Sequence, residues 1–107
     1  MILGPNGQNI YPEEIESVIN AVAYVVDSLV IEDNGGLTAL IYPDYHQAEL
    51  DGMTRDQLES TLNGLLPDIN KEIPGYAQIR KIEFMPEDFE RTPKRSIKRY
   101  LYQRNGK

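Results

Sequence analysis

The sequence predicts an α+β domain, a small and mainly antiparallel sheet of about three strands packed by helices. Three observations predict it. Apolar residues recur at helical spacing over 15–22 and 58–69. β-branched and aromatic residues fill two runs on either side of an Asn-Gly-Gly turn, and residues 80–85 alternate polar with apolar. The implied order is β-turn-α-β-β-α-β-α within a single domain.

The first element ends almost at once, because Gly4, Pro5, Asn6 and Gly7 form a turn after three apolar positions. A helix starts at Pro12, where a missing N–H costs nothing, with Glu13, Glu14 and Glu16 placed favourably for the helix dipole. Its buried face is Ile15, Val18, Ile19 and Val22. Residues 24–32 read as a strand, Asp33-Asn34-Gly35-Gly36 as a hairpin turn, and 37–42 as the returning strand stopped by Pro43. The nearly unbroken apolar runs place both strands centrally, covered on both faces.

Thr54 and Gln57 have capping-box spacing, and Leu58, Leu62, Leu65, Leu66 and Ile69 follow on one helical face. Pro67 should break or kink that helix, which Pro74-Gly75 then ends. The third strand is 80–85, with Ile82 and Phe84 on one side. A short helix over about 96–102 would turn Ile97 and Leu101 inward, with Tyr100 and Tyr102 packing against the core.

Composition limits the chemistry. The chain has 107 residues, a net charge of −6 and no cysteine, so it offers no disulfide framework, thiolate or cysteine metal site. No apolar run reaches the roughly 18 residues of a membrane span. Residues 1–7 lack the basic and apolar regions of a secretory signal, so a cytoplasmic protein is expected. His46 is the single histidine and stands in a polar stretch without ligand-spaced neighbours. With no phosphate loop, nucleophile triad or zinc spacing, a complete active site is not expected.

The charges are strongly segregated. Residues 1–90 carry 4 bases and 17 acids, whereas residues 91–107 carry 7 bases and no acid. Like charges crowded onto one short segment repel, so the cluster suggests an anionic partner.

Two segments carry a family resemblance. Gly7-Gln8-Asn9-Ile10-Tyr11-Pro12-Glu13-Glu14-Ile15-Glu16 resembles the G-x-N-I-x-P-x-E-I-E signature of adenylate-forming enzymes. Glu87-Asp88-Phe89-Glu90-Arg91-Thr92-Pro93, followed by Ile97-Lys98-Arg99-Tyr100, resembles the closing segment of their long-chain acyl-CoA synthetase branch. The resemblance implies that residues 1–107 are the C-terminal lid of an AMP-forming fatty acid–CoA ligase. A large N-terminal AMP-binding domain, absent here, would be its partner. The lid would complete first the site for adenylation of a carboxylic acid and then the site for thioester formation. ATP with Mg2+, coenzyme A and the fatty acid are the implied substrates, none bound tightly by this chain, which is expected to be inactive alone.

The resemblance also implies site residues. A lysine of the closing segment would stabilise the charge that builds as carboxylate attacks the α-phosphate. The related form Thr-Pro-x-x-Lys-Ile-Lys-Arg places Ser96 in that slot, and a hydroxyl supplies no charge. Lys98 and Lys94 are the remaining candidates, Lys98 being favoured. Gly7 would let the pantetheine arm of coenzyme A pass close to the backbone, or is simply a turn glycine. Arg95 and Arg99 are candidates for phosphate contacts. An independent anion- or nucleic-acid-binding module is the competing reading. The acidic net charge and the absence of a nucleic-acid motif argue against it.

Overall fold

A computed structural model describes residues 2–3, 9–33 and 36–102. The Gly4–Gly7 turn, Gly7 itself and the Asn34-Gly35 centre of the predicted hairpin lie outside the described residues. Short strands β1 (Ile2–Leu3) and β2 (Asn9–Ile10) pair antiparallel. Helix α1 runs Pro12–Asn20, and β3 (Val25–Asp33) pairs antiparallel with β4 (Gly36–Pro43). Helices α2 (Tyr45–Leu50), α3 (Arg55–Gly64) and α4 (Leu66–Lys71) follow, then a 3-10 turn (Gly75–Ala77) and β5 (Ile79–Phe84). A last 3-10 turn spans Arg99–Leu101.

The main sheet has the order β3-β4-β5, and β5 joins β4 parallel. The α+β class holds, with the larger sheet mixed and two of the three described strand pairings antiparallel. β4 is central, as expected, but β3 is an edge strand. Its apolar run has a different cause: both of its faces are covered although one edge is open.

Strand alternation produces that two-sided burial. On one face Val30, Leu37, Ala39 and Ile41 pack with Ile15 and Ile19 of α1 and with residues from the other helices. On the other, Leu29, Ile31 and Leu40 pack with Phe89, and Met85, Ile97 and Tyr102 close over them. The helices thus form one layer and the C-terminal segment the other. β5 slips register after Ile79, with Leu37 opposite Ile79 and Thr38 opposite Lys81. The extra residue returns Ile79, Ile82 and Phe84 to the same face despite their odd spacing.

Pro67 does separate two helices. α3 stops at Gly64 and α4 restarts at Leu66 with Pro67 in its first turn. The expected 96–102 helix is only the Arg99–Leu101 turn, and Leu101 is 48% exposed rather than inward. Three consecutive turn residues cannot present i and i+4 to one face, so only Ile97 reaches the core.

Candidate functional site

The first part of the basic segment, with Glu90 before it, folds into a hairpin over residues 90–98. Arg91 and Ile97 form an antiparallel bridge, Lys98 N–H donates to the Glu90 carbonyl (2.8 Å), and Thr92 N–H donates to the Ser96 carbonyl (2.8 Å). Thr92-Pro93-Lys94-Arg95 makes the turn, closed by Arg95 N–H on the Thr92 carbonyl (2.8 Å), with proline at the position its fixed φ favours. Arg95 then adopts φ +66, the left-handed residue that a three-residue hairpin loop needs. An arginine there is strained where glycine would not be.

Ile97 anchors the hairpin in the core beneath it. Alternation sends Ser96 and Lys98 to the side away from Ile97. At Lys98 the chain bends in an inverse γ-turn, φ −75 and ψ 78, closed by Arg99 N–H on the Ile97 carbonyl (2.8 Å). Tyr102 seals the base, edge-on to Phe89 at 5.3 Å, its hydroxyl accepting from Glu90 N–H (2.8 Å).

Five of the seven terminal bases lie among the described residues, and they fall into two groups. Arg91 pairs with Asp27 of β3 (2.5 Å) and with Asp88 (3.1 Å), and these partners raise its pKa. The Arg99 guanidinium forks onto both carboxylate oxygens of Glu16, one at 2.9 Å, with Glu13 at 4.0 Å. Glu16 also accepts from Val30 N–H on the open edge of β3 (2.7 Å). Burial pushes the Glu16 carboxyl up, while Arg99 and Val30 pull it part of the way back. The side-chain cations of Lys94, Arg95 and Lys98 have no hydrogen-bond or ion-pair partner among the described residues, and Lys98 is half-buried. The hairpin therefore carries three uncommitted cations between two arginines already held by the acidic body.

Ser96 is exposed, its N–H on the Thr92 hydroxyl (3.3 Å), and alternation about the Ile97 bridge assigns it the same side as Lys98. A separate cleft of about 140 Å3 lies between α1 and residues 72–77, floored by Ile10, Ile15, Val18 and Ile73 with Glu14 and Glu72 at its rim. None of the cations lines it. Among the described residues no group of three His, Cys, Asp or Glu side chains is placed to hold a metal ion, and no helix is long and apolar enough to cross a membrane.

A sequence profile of the AMP-binding enzyme C-terminal domain matches residues 1–105. The chain belongs to that family. No curated protein matches it. Among solved structures, the AMP-binding enzyme C-terminal domain described here is similar to part of MatB from Rhodopseudomonas palustris, with 25% identity and a TM-score of 0.66 over 94% of this chain and 18% of that one. It is likewise similar to a Mycobacterium tuberculosis fatty acyl CoA synthetase, with 25% identity and a TM-score of 0.64 over 94% and 18%. The adenylation domain of a carboxylate reductase from Mycobacterium chelonae shares the fold, with a TM-score of 0.75 at 16% identity over 94% and 17%. The C-terminal domain thus spans under a fifth of the length of these chains.

Sequence reasoning gathered Lys94, Arg95, Ser96, Lys98 and Arg99 into one segment, and the structure places the first four on one hairpin with Arg99 in the 3-10 turn directly after it. It missed Glu16 and Asp27 as partners of that hairpin. The available signal was Glu16 itself, a carboxylate at a position that α1 turns toward β3, directly after the buried Ile15.

Proposed function

We propose that this chain is the mobile C-terminal lid of a longer AMP-forming fatty acid–CoA ligase. The match of residues 1–105 to a C-terminal domain family, in a chain spanning under a fifth of its solved relatives, carries this reading. In it, an N-terminal domain binds ATP with Mg2+ and the acid, and the lid closes over them. The fatty-acid branch is supported by the closing segment and by the likeness to a fatty acyl CoA synthetase.

The cationic hairpin is the part that meets the reacting groups. Carboxylate attack on the α-phosphate brings anions together, and a preorganised cation lowers that repulsion in the transition state. Lys98 is the proposed source. Its neighbour Ile97 is anchored in the core, its stem is half-buried, and it shares a side with Ser96, which stands in the family's lysine slot. Lys94, at the exposed turn, has fewer constraints on its ammonium group. Arg95 remains a proposed phosphate contact. Arg99, forked onto Glu16, would have to leave that carboxylate to make one. Gly7 is proposed to border the pantetheine channel in the thioester-forming orientation.

The test uses the full-length protein. Lys98→Ala should slow acyl-adenylate formation, followed by pyrophosphate release, by about a hundredfold or more, comparable with loss of one oxyanion-hole donor. Thioester formation from preformed acyl-adenylate should stay near the wild-type rate. Equal loss in both half-reactions, or none in either, defeats the assignment. Acyl-adenylate made by the 107-residue chain alone would defeat the lid reading altogether.

A further inference from the structure

The hairpin is held at both ends by arginine–carboxylate pairs that reach across the chain. Arg91 at its start meets Asp27, and Arg99 just after its end meets Glu16, 83 residues away in sequence. Glu16 is 6% exposed and binds three elements at once: its own helix α1, the Val30 N–H on the open edge of β3, and Arg99.

We propose that Glu16 is a positioning residue, fixing through Arg99 where the uncommitted cations of the hairpin stand. The catalytic part of this inference rests on the function proposed above; the structural part does not. A buried ion pair is a poor source of stability, because desolvation offsets most of the attraction. What a two-point guanidinium fork supplies instead is a single orientation. Arg99 follows Lys98 directly, and consecutive Cα atoms stand about 3.8 Å apart, so fixing Arg99 limits where Lys98 can go. The γ-turn at Lys98 removes much of the remaining backbone freedom. Glu16 lies in the Gly7–Glu16 signature and Lys98 in the closing segment, so one contact couples the two motifs.

Hydrogen exchange followed by mass spectrometry decides the structural part in the full-length protein. In Glu16→Gln, which can still accept from Val30, exchange should rise by roughly tenfold at residues 90–98 and stay unchanged in α1 and β3. Arg99→Lys, which keeps the charge and loses the fork, should do the same and serves if Glu16→Gln does not fold. No change at 90–98, or an equal rise through α1 and β3, overturns the proposal. In kinetics, Glu16→Gln should lower the adenylation kcat by roughly ten- to a hundredfold while leaving KM for ATP near wild type. It should have no further effect in a Lys98→Ala background, and an equal fall there overturns the positioning role. If Lys98→Ala proves harmless while exchange still rises only at 90–98, the Lys98 assignment fails and the hold of Glu16 on the hairpin stands.

Discussion

Glu16 is a carboxyl in a place that disfavours its charged form. Burial raises its pKa, and only the Arg99 fork and the Val30 N–H oppose that rise. A carboxyl whose folded pKa lies above its unfolded value binds its proton more tightly in the folded state. Its contribution to stability is therefore complete below the unfolded value, about 4.3 for glutamate, and is lost as pH rises through the folded value. Urea unfolding of wild type and Glu16→Gln from pH 4 to 7 should show the wild-type advantage shrinking as pH rises. An advantage that grows with pH would mean that Arg99 outweighs burial. Removing the arginine is expected to be worse than removing the charge it meets: Arg99→Leu strands an uncompensated buried carboxylate, at a cost of about 3 kcal/mol near neutral pH. Such a pair was not legible in the sequence, since nothing local links residues 83 positions apart. The cations around Ser96 were legible because they are neighbours in the chain.

Short helices show how far local signals reach. The α3 start was readable because Thr54 and Gln57 satisfy each other's backbone N–H groups, at 3.1 and 2.9 Å. Thr54→Ala should cost about 1 kcal/mol in chemical denaturation, and a loss below about 0.3 kcal/mol would show that tertiary packing sets this end of α3. α2 was not predicted, although its limits are written in the chain. Asp44 accepts from Gln47 N–H (3.0 Å) at one end. At the other, Gly52 N–H reaches the Glu49 carbonyl (3.0 Å) and Met53 N–H the Ala48 carbonyl (2.8 Å), a Schellman ending with Gly52 at φ +83. Six residues are too few for a convincing hydrophobic period, so the caps were the only signal. A Cβ on Gly52 would meet nothing within 4 Å, so Gly52→Ala isolates the backbone term. It should destabilise by about 1 kcal/mol, measured as a shift in urea midpoint, and a neutral result would show that α2 has released its left-handed cap. The sheet was legible in membership and not in order. Whether β5 joins β4 or β3, and in which direction, depends on the long α2–α4 crossover, which no strand pattern encodes.

Across the whole molecule, segregation of charge becomes a division of labour. Residues 1–90 supply the acidic body, and residues 91–99 return to it as a layer over Leu29, Ile31 and Leu40. Asp27 and Glu16 take up two of the returning bases, so the acidic body holds the arm rather than merely repelling other anions. Among the described residues, three cations of the frame, Lys94, Arg95 and Lys98, are left without an ion-pair partner. In the lid reading, that frame must deliver charge in one orientation and withdraw it in the other, and a lysine serves only if its stem is anchored on the correct side. Ser96 and Lys98 share that side. A cation restored at residue 96 should therefore replace one lost at residue 98. In the full-length enzyme, Ser96→Lys added to Lys98→Ala should recover at least about tenfold of the adenylation rate lost by Lys98→Ala alone, since preorganised charge acts where the transition-state charge develops. Arg95→Lys in the same background should recover nothing, because it adds no new charge and lies in the turn. Recovery by both, or by neither, would show that the side of the hairpin does not matter and that the cations act only as a diffuse positive field.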